Sequence, residues 1–263
     1  MLRGVKAEGD ERAQPLVALR GRPTKKLSKG TKAKRLGFSL SNKKTCWKKV
    51  MFTDRKRFLF SYPGQKVNRV QWAVKGTQRQ FVVVNHPHSL NVYAGITKWG
   101  VTKVHVVAGS SMHKTTFRNK EGQLAKSITS EEDMTLVLDT FLPHGTAMFS
   151  AQGFCSWVLQ QDNDPSHKVA AGAILSWNEK RNSNICLLPS WPPNSHDLNP
   201  IENLWGYVDA KVQAQGHTSF EAFKQAVVKE LQNVLLSVLH SLYNSMPKRI
   251  AKVIELGGDK TKY

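Results

Sequence analysis

Asp54, Asp162 and Glu202 are the residues of this sequence whose types and placement could do chemistry. Asp54 follows the apolar run VMFT, and Asp162 follows SWVLQQ. Both fall at or just past the expected C-terminal end of a strand, where open sheets bind ligands. Glu202 opens a helix after PPNSHDLNP. Carboxylates gathered at one sheet edge raise one another's pKa until a cation neutralises them. Hard oxygen ligands of this kind suit Mg²⁺ or Mn²⁺. Two such ions about 3.5–4 Å apart can activate a hydroxyl and stabilise the leaving oxygen of a phosphodiester. Each acid also has an ordinary reading. Asp54 could be a solvated turn residue beside Arg55, Lys56 and Arg57. Asp162 could form an Asx turn before a helix capped by Asp164. Glu202 could be the N3 partner of an Asn199 cap, with Pro200 at N1.

His167 lies five residues after Asp162 and could donate to it from behind; Asn163 is the other candidate supporting residue. His196 stands beside Asp197. The sequence contains no HExxH, no GxGxxG and no phosphate-binding P-loop.

These residues need a scaffold. VMF at 50–52 reads as a short strand, with RFLFSYPG at 57–64 as its partner and QFVVV at 80–84 as a third. Residues 91–107 read as a hairpin turning at Trp99-Gly100. Ser130 with Glu131, Glu132 and Asp133 opens a helix expected to stop before Pro143. A strand at 154–161, a helix at 166–180, a short strand at 185–189 and a helix at 199–213 follow. Thr218 and Glu221 form a capping box before one long helix, 219–243, with apolar residues every three or four positions. This order predicts a mixed sheet with helices on both faces.

Charge points to a polyanion. Lys and Arg number 39 against 19 Asp and Glu, for a net +20. Residues 1–60 hold 18 basic and 4 acidic side chains. Such a block binds nucleic acid by releasing its counterions. Arg20, Arg22, Lys25, Lys26, Lys32, Lys34 and Arg35 are the candidate DNA contacts, on an arm or loosely attached helix. Trp72 and Trp99 are the aromatics best placed to touch DNA. No run of eighteen apolar residues exists, so no membrane partner is expected. No apolar leader follows the N-terminus. Cys46, Cys155 and Cys186 have no metal-ligand spacing.

The sequence also resembles the Tc/mariner superfamily of transposases over roughly residues 25–263. WKKVMFTDRKRFLF at 47–60 is similar to the segment bearing the family's first catalytic aspartate, which places that role on Asp54. VLQQDNDPSHK at 158–168 matches the second motif at Asp162, and WPPNSHDLNPIENLW at 191–205 the third at Glu202. The ending GGDKTKY also resembles the family's. The resemblance implies a ribonuclease-H-like α/β fold, a five-stranded mixed sheet flanked by helices, with residues 1–46 as a basic arm and 47–263 as the catalytic domain. It further implies a nuclear DNA transposase that hydrolyses phosphodiesters and transfers strands, using two Mg²⁺ or Mn²⁺ ions held by Asp54, Asp162 and Glu202. The implied partners are double-stranded DNA and a second copy of the chain. Three departures stand out. Arg55 replaces an acidic neighbour of Asp54, and His196 replaces a proline. The interval from Asp162 to Glu202 exceeds the family's commonest one. Asp197 would suit the shorter interval, but it fills the motif's non-catalytic aspartate. The family's two N-terminal helix-turn-helix domains find no room here, so recognition of transposon ends is not expected of this chain alone. The alternative reading is a non-enzymatic DNA-binding protein derived from a transposase.

Overall fold

The computed structural model describes residues 26–60, 88–109, 130–164, 167 and 170–263. A six-stranded sheet runs in the order β3-β2-β1-β5-β6, with β4 also pairing β2. The strands are β1 (Val50–Leu59), β2 (Ser89–Thr97), β3 (Gly100–Val101), β4 (His105–Gly109), β5 (Ser156–Gln160) and β6 (Asn184–Leu187). β1 pairs β2 antiparallel and β5 parallel; β5 pairs β6 parallel. The mixed sheet flanked by helices is thus as expected. It has a sixth strand because the hairpin at Trp99-Gly100 adds the two-residue β3 beside β2.

Helices cover both faces. On one lie α1 (Lys29–Ser41), α5 (Ile201–Gln215), α6 (Phe220–Gln232) and α7 (Leu236–Glu255). Their core joins Trp205, Val208, Phe223, Tyr243 and Met246 to Phe52, Phe58, Val92 and Ile96 of the sheet. On the other lie α2 (Ser130–Leu136), α3 (Leu142–Ser150) and α4 (Ala170–Arg181). There Phe141, Phe149 and Ile174 meet Met51, Tyr93, Trp157 and Leu159. The period-two alternation of a strand sends Met51 and Phe52 to opposite cores. No helix among the described residues is long and apolar enough to cross a membrane.

Several boundaries differ from expectation. Residues 50–52 and 57–59 are not two paired strands but one, continuous through Arg55-Lys56-Arg57. The charges suit a strand because β1 is half solvated there: Arg55 and Arg57 are exposed, while Phe58 returns to the core. The 80–84 strand and Trp72 lie outside the described residues. Trp99 is half-buried, its ring packed edge-on to Phe149 at 5.5 Å. The helix from Ser130 does not stop before Pro143. It widens into a π turn over Val137–Phe141 and continues as α3. The wider turn accommodates a proline that offers no N–H and crowds the preceding turn. His144 Nδ1 bonds the Thr140 carbonyl at 2.8 Å. The long C-terminal helix is two. Asn233 ends α6 by donating its side chain to the Lys229 carbonyl at 2.8 Å. Ser219, rather than Thr218, caps α6, accepting from the Ala222 N–H at 3.2 Å.

α1 is docked on α7, not loosely attached. α7 is followed by Gly257 and Gly258, both at positive φ, and the Gly258 N–H bonds the Val253 carbonyl at 2.8 Å. A Cβ on Gly258 would lie 2.0 Å from the Lys32 carbonyl oxygen, whereas one on Gly257 meets nothing. Gly258→Ala is therefore expected to cost about 2–4 kcal/mol, from left-handed strain plus the backbone clash. Gly257→Ala should cost about 1 kcal/mol from strain alone. Urea unfolding of both variants checks the difference; equal losses would rule out the clash.

Candidate active site

Strand register brings two of the acids together. β1 and β5 run parallel with Phe52 opposite Gln160, the last rung they share. Two residues further along each chain come Asp54 and Asp162. β5 ends at Gln160 while β1 continues, so the sheet splits just where the two carboxylates stand abreast. Asp54 is thus a mid-strand residue rather than a strand-end one. It reaches the crevice because its neighbour leaves, the usual location of a ligand site in an open sheet. Thr53 Oγ1 donates to the Gln160 carbonyl at 2.6 Å and pins the split.

α5 supplies the third acid. It packs on β1 and starts at Ile201, two residues into the expected span, with Asn199 Oδ1 accepting from the Ile201 N–H at 3.3 Å. Glu202 lies in its first turn. Trp205, three residues on and so on the same face, donates its Nε1–H to Asp54 Oδ2 at 3.0 Å. Asp54, Asp162 and Glu202 line a common cavity of about 190 Å³. The same three edge a second hollow of about 330 Å³, which runs along the Pro192–Asn199 loop. They therefore form a ridge between two depressions.

The electrostatics are uneven. Burial, then the charge of Glu202, raise the Asp54 pKa to about 6, and Asp162 adds to the push. The hydrogen bond from His167 holds Asp162 below the usual carboxylate range. His167 Nε2 lies 3.1 Å from Asp162 Oδ1, and its Nδ1 lies 3.0 Å from Asp133 Oδ1. Burial lowers the His167 pKa, but its two carboxylate partners outweigh that and hold it at about 9. His196 Nδ1 is 2.9 Å from Glu202 Oε1, and this bond raises its pKa. Among the described residues no three His, Cys, Asp or Glu side chains are gathered closely enough to hold a metal ion as they stand. Asp162 and Glu202 each lean on a histidine instead.

The donor set nevertheless fits a hard divalent cation. Asp54 is protonated more readily because of its burial first, and then because of the charge of Glu202 and, less, of Asp162. That is the field a cation relieves.

Asp197 is not a rival to Glu202. Its carboxylate is gripped by Arg35 at 2.8 and 2.7 Å and by the Thr261 N–H at 2.8 Å. Burial would raise its pKa, but Arg35 and Thr261 hold it low. The same contacts remove Arg35 from the candidate DNA residues, since it is fully buried. Lys32 is paired with Asp259. Lys26 and Lys34 are exposed, and Arg20, Arg22 and Lys25 lie outside the described residues. Asn163 lines the second hollow with the acids, and its Nδ2 donates to the Trp191 carbonyl at 2.8 Å and fixes the loop wall.

Asp133 was missed by sequence reasoning, which made it a first-turn helix acid. A signal was present: Asp133 shares the three- and four-residue spacing of buried Leu136, Val137, Thr140 and Phe141, so it sits on the inward face. Trp205 is a second functional residue that its motif alone does not reveal. It is wholly buried, but its N–H also serves the site.

Comparison with known proteins agrees. Over 259 residues the chain is 27% identical to the Tc3 transposase of Caenorhabditis elegans, a match covering 96% of this chain and 70% of that protein. The catalytic domain of Mos1 mariner transposase superposes with a TM-score of 0.61 at 15% identity, covering 92% of this chain and all of that one. The mariner Mos1 paired-end complex with Mg gives a TM-score of 0.69 at 14% identity, covering 95% of this chain and 69% of that one. The family model described as DDE superfamily endonuclease matches residues 49–224, a span holding all three ridge acids, and the chain belongs to that family.

Proposed function

We propose that the chain is the catalytic part of a DNA transposase, with Asp54, Asp162 and Glu202 as the carboxylates that hold two Mg²⁺ or Mn²⁺ ions. The observation that carries this reading is the common cavity: three acids from β1, the end of β5 and the start of α5 line it, on a chain of net charge +20. Bound divalent ions would activate an attacking hydroxyl and stabilise the leaving oxygen of a phosphodiester. The chain's own residues do the rest. Trp205 orients Asp54, His167 holds Asp162, and exposed lysines such as Lys26 and Lys34 attract the DNA backbone. Double-stranded DNA is the proposed substrate, a second copy of the chain the proposed partner in a paired-end complex, and the nucleus the place of action.

The test is nicking of duplex DNA with Mg²⁺ or Mn²⁺. Wild type should cut, and Asp162→Asn and Glu202→Gln, folded as judged by circular dichroism, should not. Undiminished cutting by either removes that residue from the set. One observation favours a second reading, a non-enzymatic DNA-binding protein derived from a transposase: His167 and His196 already balance two of the acids. That protein would bind DNA in a salt-sensitive way and cut under no metal condition.

A further inference from the structure

Asp133 is 1% exposed, on the inward face of α2. A buried carboxylate is costly unless paired, and its partner here is a ring that leads to the site. His167 Nδ1 lies 3.0 Å from Asp133 Oδ1, and Gln161 Nε2 is 3.2 Å from the same Nδ1. The opposite ring nitrogen lies 3.1 Å from Asp162 Oδ1. Each ring nitrogen therefore faces a carboxylate oxygen, which fixes the plane and direction of the imidazole. Asp162 Oδ1 receives a second donor, the Asp164 N–H at 3.0 Å. Both of these bonds fall on Oδ1 and neither on Oδ2. The line from Asp133 through His167 thus ends on Oδ1 of Asp162. The residues come from three separate places: α2, the segment before α4 and the loop leaving β5.

We infer that Asp133 is a positioning residue that acts through His167 to hold Asp162 Oδ1 and present Oδ2 to a divalent cation. The inference rests on the metal-holding role proposed for Asp162. A merely structural Asp133 would tie α2 to the segment before α4, and its loss would change stability alone. A positioning Asp133 changes cation affinity, because outer partners of a ligand set its orientation. The same link predicts that Asp133 and His167 act as one unit.

The experiment is calorimetric titration of the full chain with Mn²⁺ alone, DNA absent. Asp133→Leu removes the buried charge without leaving a hole, and should weaken Mn²⁺ binding about 10–100-fold. His167→Phe should weaken it to the same degree, and the double variant no further. Asp133→Asn, which keeps the shape and an acceptor oxygen, should recover most of the affinity even if Asp133→Leu folds poorly. In ¹⁵N spectra the His167 Nδ1–H signal should be lost in Asp133→Leu. Asp162→Asn separates the two claims. If wild type binds Mn²⁺, Asp162→Asn does not, and Asp133→Leu binds as wild type does, the inference is overturned and the metal role of Asp162 stands. Additive losses in the double variant also overturn it. If Asp162→Asn binds like wild type, both fall together.

Discussion

Asp54→Asn is expected to lose DNA nicking by about a thousandfold and yet be the more stable protein at pH 7.5. The loss follows if Asp54 helps hold the ions, since several kcal/mol of transition-state stabilisation go with them. The gain follows from the site's own electrostatics. The folded pKa of Asp54 is about 6 against a reference of 3.8, raised first by burial and then by Glu202. Below about pH 4 the group is protonated in folded and unfolded chains alike. Between about pH 4 and 6 the folded state holds the extra proton, so stability falls as pH rises through this window and stays lower above it. Asparagine cannot ionise and keeps an oxygen for the Trp205 N–H. The variant should gain about 1–3 kcal/mol at pH 7.5 and nothing at pH 4. Urea midpoints at the two pH values measure it. A variant less stable than wild type at pH 7.5 would mean that the acids are not in repulsion. Stability withheld at a working site is the usual trade against activity.

Arg35→Met should cost about 3–5 kcal/mol, the range for removing one partner of a buried ion pair. Arg35 is fully buried and makes two bonds to Asp197, one to Ser195 Oγ at 2.8 Å and one to the Gly258 carbonyl at 2.9 Å. Methionine can fill the space but leaves the Asp197 carboxylate with only its Thr261 donors. Against a total stability of roughly 5–15 kcal/mol this is a large fraction. Adding Asp197→Leu to Arg35→Met should return much of the loss, because an apolar pair removes the stranded charge. Denaturant unfolding of the single and double variants decides it. A single-variant loss under about 1 kcal/mol would place the pair with weak surface bridges.

How far the site could be read from sequence depends on how local its causes are. Asp162 was placed at a strand exit because SWVLQQ and the following DNDP are both local signals. Glu202 was placed by its motif, and the helix beginning beside it agrees within two residues. The mixed sheet followed from the order of strands and helices. Errors arose where distant residues decide. Arg55-Lys56-Arg57 resembles a turn until β2 lies alongside, pairing Asp54 with Ala94 and Arg57 with Asn91. Pro143 looks like a stop until a π turn makes room for it. Arg35 looks like a DNA contact until Asp197, 162 positions away, claims it. Asp133 looks like a first-turn helix acid until His167, 34 positions away, does the same. In each case the missing information was a tertiary partner rather than a local propensity.

Asp197 has a mechanical consequence. One carboxylate is grasped by α1 through Arg35 and by the segment after α7 through Thr261, while Arg249 of α7 holds its carbonyl at 2.8 Å. Asp197 is next in the chain to His196 and five residues before Glu202. A load applied through α1 therefore reaches this knot through the guanidinium of Arg35. The stiffness of the loop behind Glu202 is set by residues that never touch the cavity.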